Sequence, residues 1–320
     1  KNGSLIIHAP SSCMKPYVNH SGRKRAQNAP MASNLPQQIA EWCYSIPEEE
    51  QGVYPIDQTD GGEDDDPAEH EAWAKELAAK GLNPRAPWTR QTELLDIHKN
   101  DVISDSGVEI WNVMEAEGIK NVILVGVHTN MCVLGRPFGL RRLASNGKNV
   151  VLCRDLTDTM YNPKMKPYVS HFTGTDLIIE HIEKWVCPTI TSDQLLGDEP
   201  FQFKNDTRPH VVMLVAEREY VTNETLPKFA LEHLGREYRV TILHCDEEGK
   251  GERDDIPGTA QALKEADILL VSVRRRALKA EDFKAVEEHI KAGKPVVGIR
   301  TANHAFSLRG AEPPEGHVVW

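Results

Sequence analysis

Short, nearly uninterrupted apolar runs set between helix-patterned stretches constrain this chain more than any other feature. Residues 120–126 read Lys-Asn-Val-Ile-Leu-Val-Gly, 210–216 read His-Val-Val-Met-Leu-Val-Ala, and 267–273 read Asp-Ile-Leu-Leu-Val-Ser-Val. Runs of this length without polar alternation suit strands buried on both faces, and parallel strands need helical crossovers between them. In the first half the pattern predicts strands at 4–8, 93–98, 120–126 and 150–153. Helices are predicted at about 67–80, from Ser106 to Gly118 with Ile110, Trp111, Val113 and Met114 on the apolar face, and at 134–146. In the second half strands are predicted at 210–216, 238–244, 267–273 and 295–299. Helices fall between them at about 223–234, 257–265 and 280–292, the last closed by Gly293. Such repetition predicts an α/β chain of two doubly wound domains, the second of flavodoxin-like type. Pro, Thr, Ser, Asp and Gly crowd residues 186–208, which places a first domain at 1–188, a linker at 189–208 and a second domain at 209–320.

Composition narrows the partners. A net charge of -11 argues against a phosphate-backbone ligand. The basic clusters at 23–25, 141–142 and 274–276 are short and read as solvated surface. Six scattered cysteines without a C-x-x-C pair point to free thiols rather than a zinc ribbon or a disulfide framework. No apolar run approaches the roughly 20 residues that span a bilayer. The expected partner is a small-molecule substrate, with no nucleic acid, no membrane segment in this stretch and no cofactor; homo-oligomerisation is left open. The chain opens on Lys1 and closes on Trp320, so both ends read as cut, the first domain lacking its first strand and the second stopping short. Its compartment is unknown: cytoplasmic by default, with room for a signal peptide before Lys1.

Residues 47–72 are acidic, contain Pro and Gly, and hold no Lys or Arg, which predicts a long mobile surface insertion or lid. Its Asp57-Gln-Thr-Asp60-Gly61-Gly62-Glu63-Asp64 stretch lacks the alternate spacing of a calcium-binding loop, and no metal is expected there.

The strongest chemical signal is Gly126-Val127-His128-Thr129-Asn130-Met131-Cys132-Val133. A strand ends, a short turn follows, and Cys132 stands where a helix is expected to begin. Helix-start N–H groups favour a thiolate and can receive the oxyanion its attack creates. Position alone leaves two readings open, a nucleophile and a buried structural thiol.

The segment resembles the G-x-x-T-x-x-C-V signature of the isochorismatase-like cysteine hydrolases, which include nicotinamidases and N-carbamoylsarcosine-type amidases. The resemblance covers roughly residues 1–186. It implies a three-layer α/β fold, a Cys–Asp–Lys catalytic set with Cys132 as nucleophile, and a cis peptide at Val127–His128. The N–H groups of His128 and Cys132 would form the oxyanion hole. Lys99, followed by Gly107, Glu109 and Ile110, fits the spacing of the family lysine, although Asp105 and Ser106 stand where the pattern carries an aromatic stretch. The family aspartate belongs to a strand before residues 4–8, outside this chain. His8 is read as a hydrogen-bonded pocket or core residue rather than a zinc ligand, and no metal site is expected. Thr129 is a further pocket candidate. So are Tyr161 and Asn162 in Thr157-Asp158-Thr159-Met160-Tyr161-Asn162, for which a capped turn is the alternative. Arg136 is placed to meet an anionic substrate, and Arg141 is expected at the surface.

A cysteine nucleophile implies hydrolysis of a small amide or carbamoyl C–N bond through an acyl-thioenzyme. The alternatives are a non-catalytic small-molecule or carbohydrate-associated binding protein and an isochorismatase-type vinyl-ether hydrolase. Residues 208–320 resemble the ThuA-like branch of the class I glutamine-amidotransferase-like fold, on the strand series and Gly293-Lys-Pro-Val-Val-Gly-Ile-Arg300-Thr301-Ala302-Asn303-His304-Ala305-Phe306. No cysteine follows that strand, so nucleophilic catalysis is not expected there. His304 is a candidate for lining a ligand site or for capping the next segment.

Overall fold

The computed structural model describes residues 3–63, 67–197, 199–217, 219–245 and 255–320. Asp64, Asp65 and Asp66 of the acidic segment and Asp198 of the predicted linker lie outside the described residues. The protein is a mixed α/β chain with parallel sheets, and it divides into two compact units, 1–165 with 174–202 and 166–173 with 203–320.

In the first unit the elements run β1 (Ile7–His8), α1 (Ser21–Gln27), α2 (Pro67–Ala79), β2 (Val102–Ile103), α3 (Gly107–Ala116), β3 (Asn121–Val127), α4 (Leu140–Ser145), β4 (Asn149–Asp158), α5 (His171–Trp185), β5 (Thr189–Ile190) and α6 (Asp193–Leu196). β1 pairs with β2, and a separate sheet has the order β3-β4-β5, all parallel. α3 forms where its pattern predicts. Ser106 caps it by accepting from Glu109 N at 3.4 Å, and Ile110, Trp111, Val113 and Met114 are buried. Gly118 ends it with φ +65°, a backbone region glycine enters freely.

Four expectations need correction in this unit. Residues 93–98 form no strand: Leu94 is exposed and the chain turns at 93–95, while β2 forms at Val102 and Ile103, both fully buried. The helix expected at 134–146 is broken at 136–139, where Pro137 and Gly139 interrupt it, so α4 begins only at Leu140. β3 is not buried on both faces, since Ile123, Val125 and Val127 are 44%, 56% and 57% exposed. The stretch read as linker carries β5 and α6, and β5 extends the sheet beside β4.

The second unit contains β6 (His210–Ala216), α7 (Thr222–Phe229), β7 (Arg239–His244), α8 (Thr259–Lys264), β8 (Ile268–Val273), β9 (Leu278–Lys279), α9 (Ala280–Lys291), β10 (Val296–Gly298) and β11 (His317–Val318). Its parallel sheet has the order β10-β8-β6-β7, and β9 pairs antiparallel with β11. Every residue of β6 is buried, as its apolar run requires of a central strand. The two faces of this sheet pack separate clusters. Val212, Leu214, Leu269 and Val271 meet Val286 of α9 on one side, while Val211, Met213 and Val215 meet Leu226 of α7 on the other. Each such side chain contributes roughly 1.5–3 kcal/mol on burial.

Candidate functional site

The Cys132 turn starts at the carboxyl end of β3, the edge of a parallel sheet where ligands bind. Gly126 has φ +115°, the peptide between Val127 and His128 is cis, and Thr129–Val133 form one π turn. His128 O accepts from Met131 N at 3.1 Å and from Val133 N at 3.2 Å. Cys132 lies partly exposed on this turn as a free thiol. The long helix expected behind it is absent, because helical backbone stops at Gly135. A single turn carries little macrodipole, so the thiolate has no extended helix to stabilise it.

Neighbouring side chains fix the turn. Thr129 Oγ1 lies 2.6 Å from Thr157 Oγ1, and the Thr157 hydroxyl donates to Gly126 O at 2.8 Å. Asn130 Nδ2 donates to Met160 O at 2.8 Å and to Gln58 Oε1 at 2.7 Å, while Asn130 Oδ1 accepts from Met160 N at 2.9 Å. β3 and the end of β4 are thereby joined to the acidic segment. That segment is no free lid over its described part. Asn162 Nδ2 donates to Asp60 Oδ2 at 2.8 Å, and Gly62 packs on Met160. Gly62 has φ +75°, and a Cβ there would sit 2.7 Å from Met160 O. Gly62→Ala is expected to cost about 1–3 kcal/mol in denaturant unfolding, since neither the backbone region nor the space admits the methyl group.

Several predicted site residues are engaged with neighbouring groups. Thr129 is buried and pins the turn rather than lining a pocket. Tyr161 is 0% exposed and its hydroxyl donates to Met165 O at 2.7 Å. Asn162 spends its amide on Asp60 and on Lys164 N. The guanidinium of Arg136 lies 5.3 Å from the Trp42 ring centroid, a cation–π contact, and its Nε is buried without an acceptor. His8 is buried on β1, in the other sheet, with Nε2 3.2 Å from Asp101 Oδ2 and Nδ1 beside the Gln91 amide. Lys99 is exposed in the turn before β2. Its carbonyl accepts from Ser21 Oγ at 3.1 Å, and its ammonium makes no hydrogen bond or ion pair among the described residues. No hydrogen bond or ion pair links Lys99 to Cys132 among the described residues. No group of three or more His, Cys, Asp or Glu among the described residues is placed to hold a metal ion.

Arg141 is the largest departure from expectation. Rather than lying at the surface it is 6% exposed, and it holds Glu49 through Nε and Nη2, both at 2.7 Å. His181 Nε2 lies 2.9 Å from Glu49 Oε1, and Arg141 Nη1 donates to Cys43 O at 3.2 Å. Burial alone would raise the Glu49 pKa. Hydrogen bonds from His181 and Arg141, with the Arg141 charge, outweigh it and hold Glu49 down at about 2. The pair joins the acidic segment to α4 and α5. A sequence signal existed only in part: Glu49 is one of three adjacent glutamates, and nothing local marks it as the buried one. No family model, curated protein or solved structure matches the chain.

Proposed function

We propose that the chain is a cysteine hydrolase of isochorismatase-like type, with Cys132 attacking the carbonyl of a small amide or carbamoyl compound. In the same reading the first unit is a three-layer isochorismatase-like fold and the second a flavodoxin-like sheet of ThuA-like kind. One observation carries the proposal: a partly exposed thiol on a clamped turn, at the carboxyl end of a parallel strand. Sulfur bonds to the carbonyl carbon, and the C–N bond then breaks as the amine leaves with a proton. Water next attacks the thioester, the C–S bond breaks, and the acid and the thiol are released. The N–H groups of His128 and Cys132 are the proposed oxyanion donors. Lys99 stays in the proposal as the charge that supports the thiolate.

Cysteine labelling tests this reading. Burial pushes the Cys153 and Cys187 thiols up to about 12, while Cys43 and Cys245 are buried. Cys13 and Cys132 are the two partly exposed thiols. With iodoacetamide at neutral pH, Cys132 is expected to label at least about tenfold faster than Cys13, and Lys99→Ala to slow it. Equal rates at the two positions would sink the nucleophile.

A second reading, small-molecule binding without turnover, is favoured by a different observation. The Cys132 sulfur has no hydrogen bond to a base among the described residues, and its polar neighbours are spent on one another. This reading predicts slow Cys132 labelling together with ligand binding.

A further inference from the structure

We propose that the second unit binds a small anion, through a phosphate or carboxylate group, at the carboxyl edge of its parallel sheet, with Arg274, Arg275 and Arg300 as its charged ligands. In the order β10-β8-β6-β7, the chain leaves β6 for one side of the sheet and later returns to build the other side. The connections after β6 and β8 therefore diverge, and such a switch point opens a crevice beyond the strand ends.

Three strand exits are laced together at this edge. After β6, Glu217 is buried and accepts from the backbone N–H groups of Glu219, Tyr220 and Thr222 and from the Thr222 hydroxyl. Its charge is used in ordering that loop, and Ser272 Oγ donates to Thr222 Oγ1 at 3.0 Å. After β8, Arg274 N donates to Ala216 O at 3.1 Å, Arg275 N to His304 O at 3.3 Å and Arg276 N to Ala305 O at 2.8 Å. After β10, Arg300 opens a 3-10 turn whose Thr301 hydroxyl donates to Val273 O at 2.9 Å.

Positive charge gathers on this frame in excess of the carboxylates that meet it. Arg274 pairs with Glu219. Arg275 donates Nη1 to Ser307 O at 3.2 Å, and its Nε is buried with no acceptor. Arg300 stacks 4.5 Å from the Tyr220 ring centroid and makes no ion pair among the described residues. Partial desolvation and then the charges of Arg309 and Arg274 lower the Arg275 pKa. His304 is lowered likewise, by desolvation and then by Arg275, Arg274 and Arg309. These are mutually repelling neighbours in a chain of net charge -11. Arg275 and Arg300 also hold φ of +52° and +54°, a region that L residues enter at a cost and that clusters at ligand sites. Guanidinium forks match the oxygen spacing of phosphate and carboxylate, so one such anion answers the repulsion and the open donors together. The short basic run at 274–276 is thus part of a built edge rather than ordinary solvated surface.

Calorimetric titration of the full chain tests the site, with inorganic phosphate in one arm and succinate in the other, at ionic strength held near about 0.15 M. Saturable binding is expected in at least one arm with Kd of about 1 mM or tighter, and the arm that binds names the group recognised. Arg300→Gln and Arg274→Gln are each expected to weaken it at least about tenfold, with Arg300→Lys recovering part of the loss. Lys284→Gln, on the exposed side of α9 where Lys284 meets Glu288, is expected to leave it unchanged. Circular dichroism checks that each variant folds; Arg300 is exposed, so its replacement spares the core. Lack of saturation in both arms up to about 20 mM would overturn the site, as would equal weakening by Lys284→Gln.

Discussion

Replacing Cys132 by Ala is expected, under the proposed hydrolase reading, to lower kcat/KM on an amide substrate by about four orders of magnitude or more, because no bond-forming atom remains. The substrate is sought in a panel of primary amides and carbamoyl compounds, with isochorismate assayed beside them to test vinyl-ether hydrolysis. Truncation of a partly exposed thiol without hydrogen-bond partners among the described residues costs under about 1 kcal/mol of stability, so the fold remains intact. A thermal melt of the variant separates lost chemistry from lost structure. Retention of hydrolysis by Cys132→Ala would remove the thiol from the mechanism outright.

The second large effect falls on stability. Arg141→Ala is expected to destabilise the first unit by about 3–5 kcal/mol in denaturant unfolding, because Glu49 is left as a buried anion short of its main partner. Removing both charges, as Arg141→Met with Glu49→Met, is expected to cost less than the sum of the single changes, since neither then leaves the other unpaired. Additive losses would show that the pair does not act as a unit. The sign of the acid dependence follows from the depressed pKa of Glu49. Unfolded, the group titrates near 4.5; folded, near 2. Its contribution is complete above about 4.5 and is lost as pH falls toward about 2. In Arg141→Ala that acid slope is expected to flatten. The effect reaches the candidate site through the chain, because the segment that Glu49 anchors continues to Gln58 and Asp60, which contact Asn130 and Asn162.

Elements were legible in the sequence where a local pattern decided them. The apolar run at 210–216 became β6 with its ends unchanged, and the Ser106 cap and Gly118 stop framed α3. The broken helix after Cys132 was legible as well. Pro137 and Gly139 stand inside the predicted span, and weighing them more heavily places the start of α4 correctly. Residues 93–98 misled because Leu94, Leu95 and Ile97 imitate a strand, whereas β2 needs only Val102 and Ile103. At the candidate site, Cys132 and its turn were marked by their motif, but the surroundings were not. Arg141 meets a carboxylate 92 positions away, and Tyr161 turns inward to a carbonyl. Such pairings depend on which distant segments meet, and residue type alone says only that a charge or hydroxyl will find some partner.

Asn130 gives the turn a last property. Its side-chain amide presents one acceptor and one donor to the N–H and C=O of a single residue, Met160. That is the exchange two residues make across an antiparallel ladder, here made by a side chain although β3 and β4 run parallel. The side chain thus stands in for a peptide unit and ties the chain beyond β3 to the chain beyond β4, past the point where the backbones part. The position of the thiol two residues further on is set by a pairing rule, donor to acceptor and acceptor to donor, that an ionised carboxylate of the same size, having no donor, cannot satisfy.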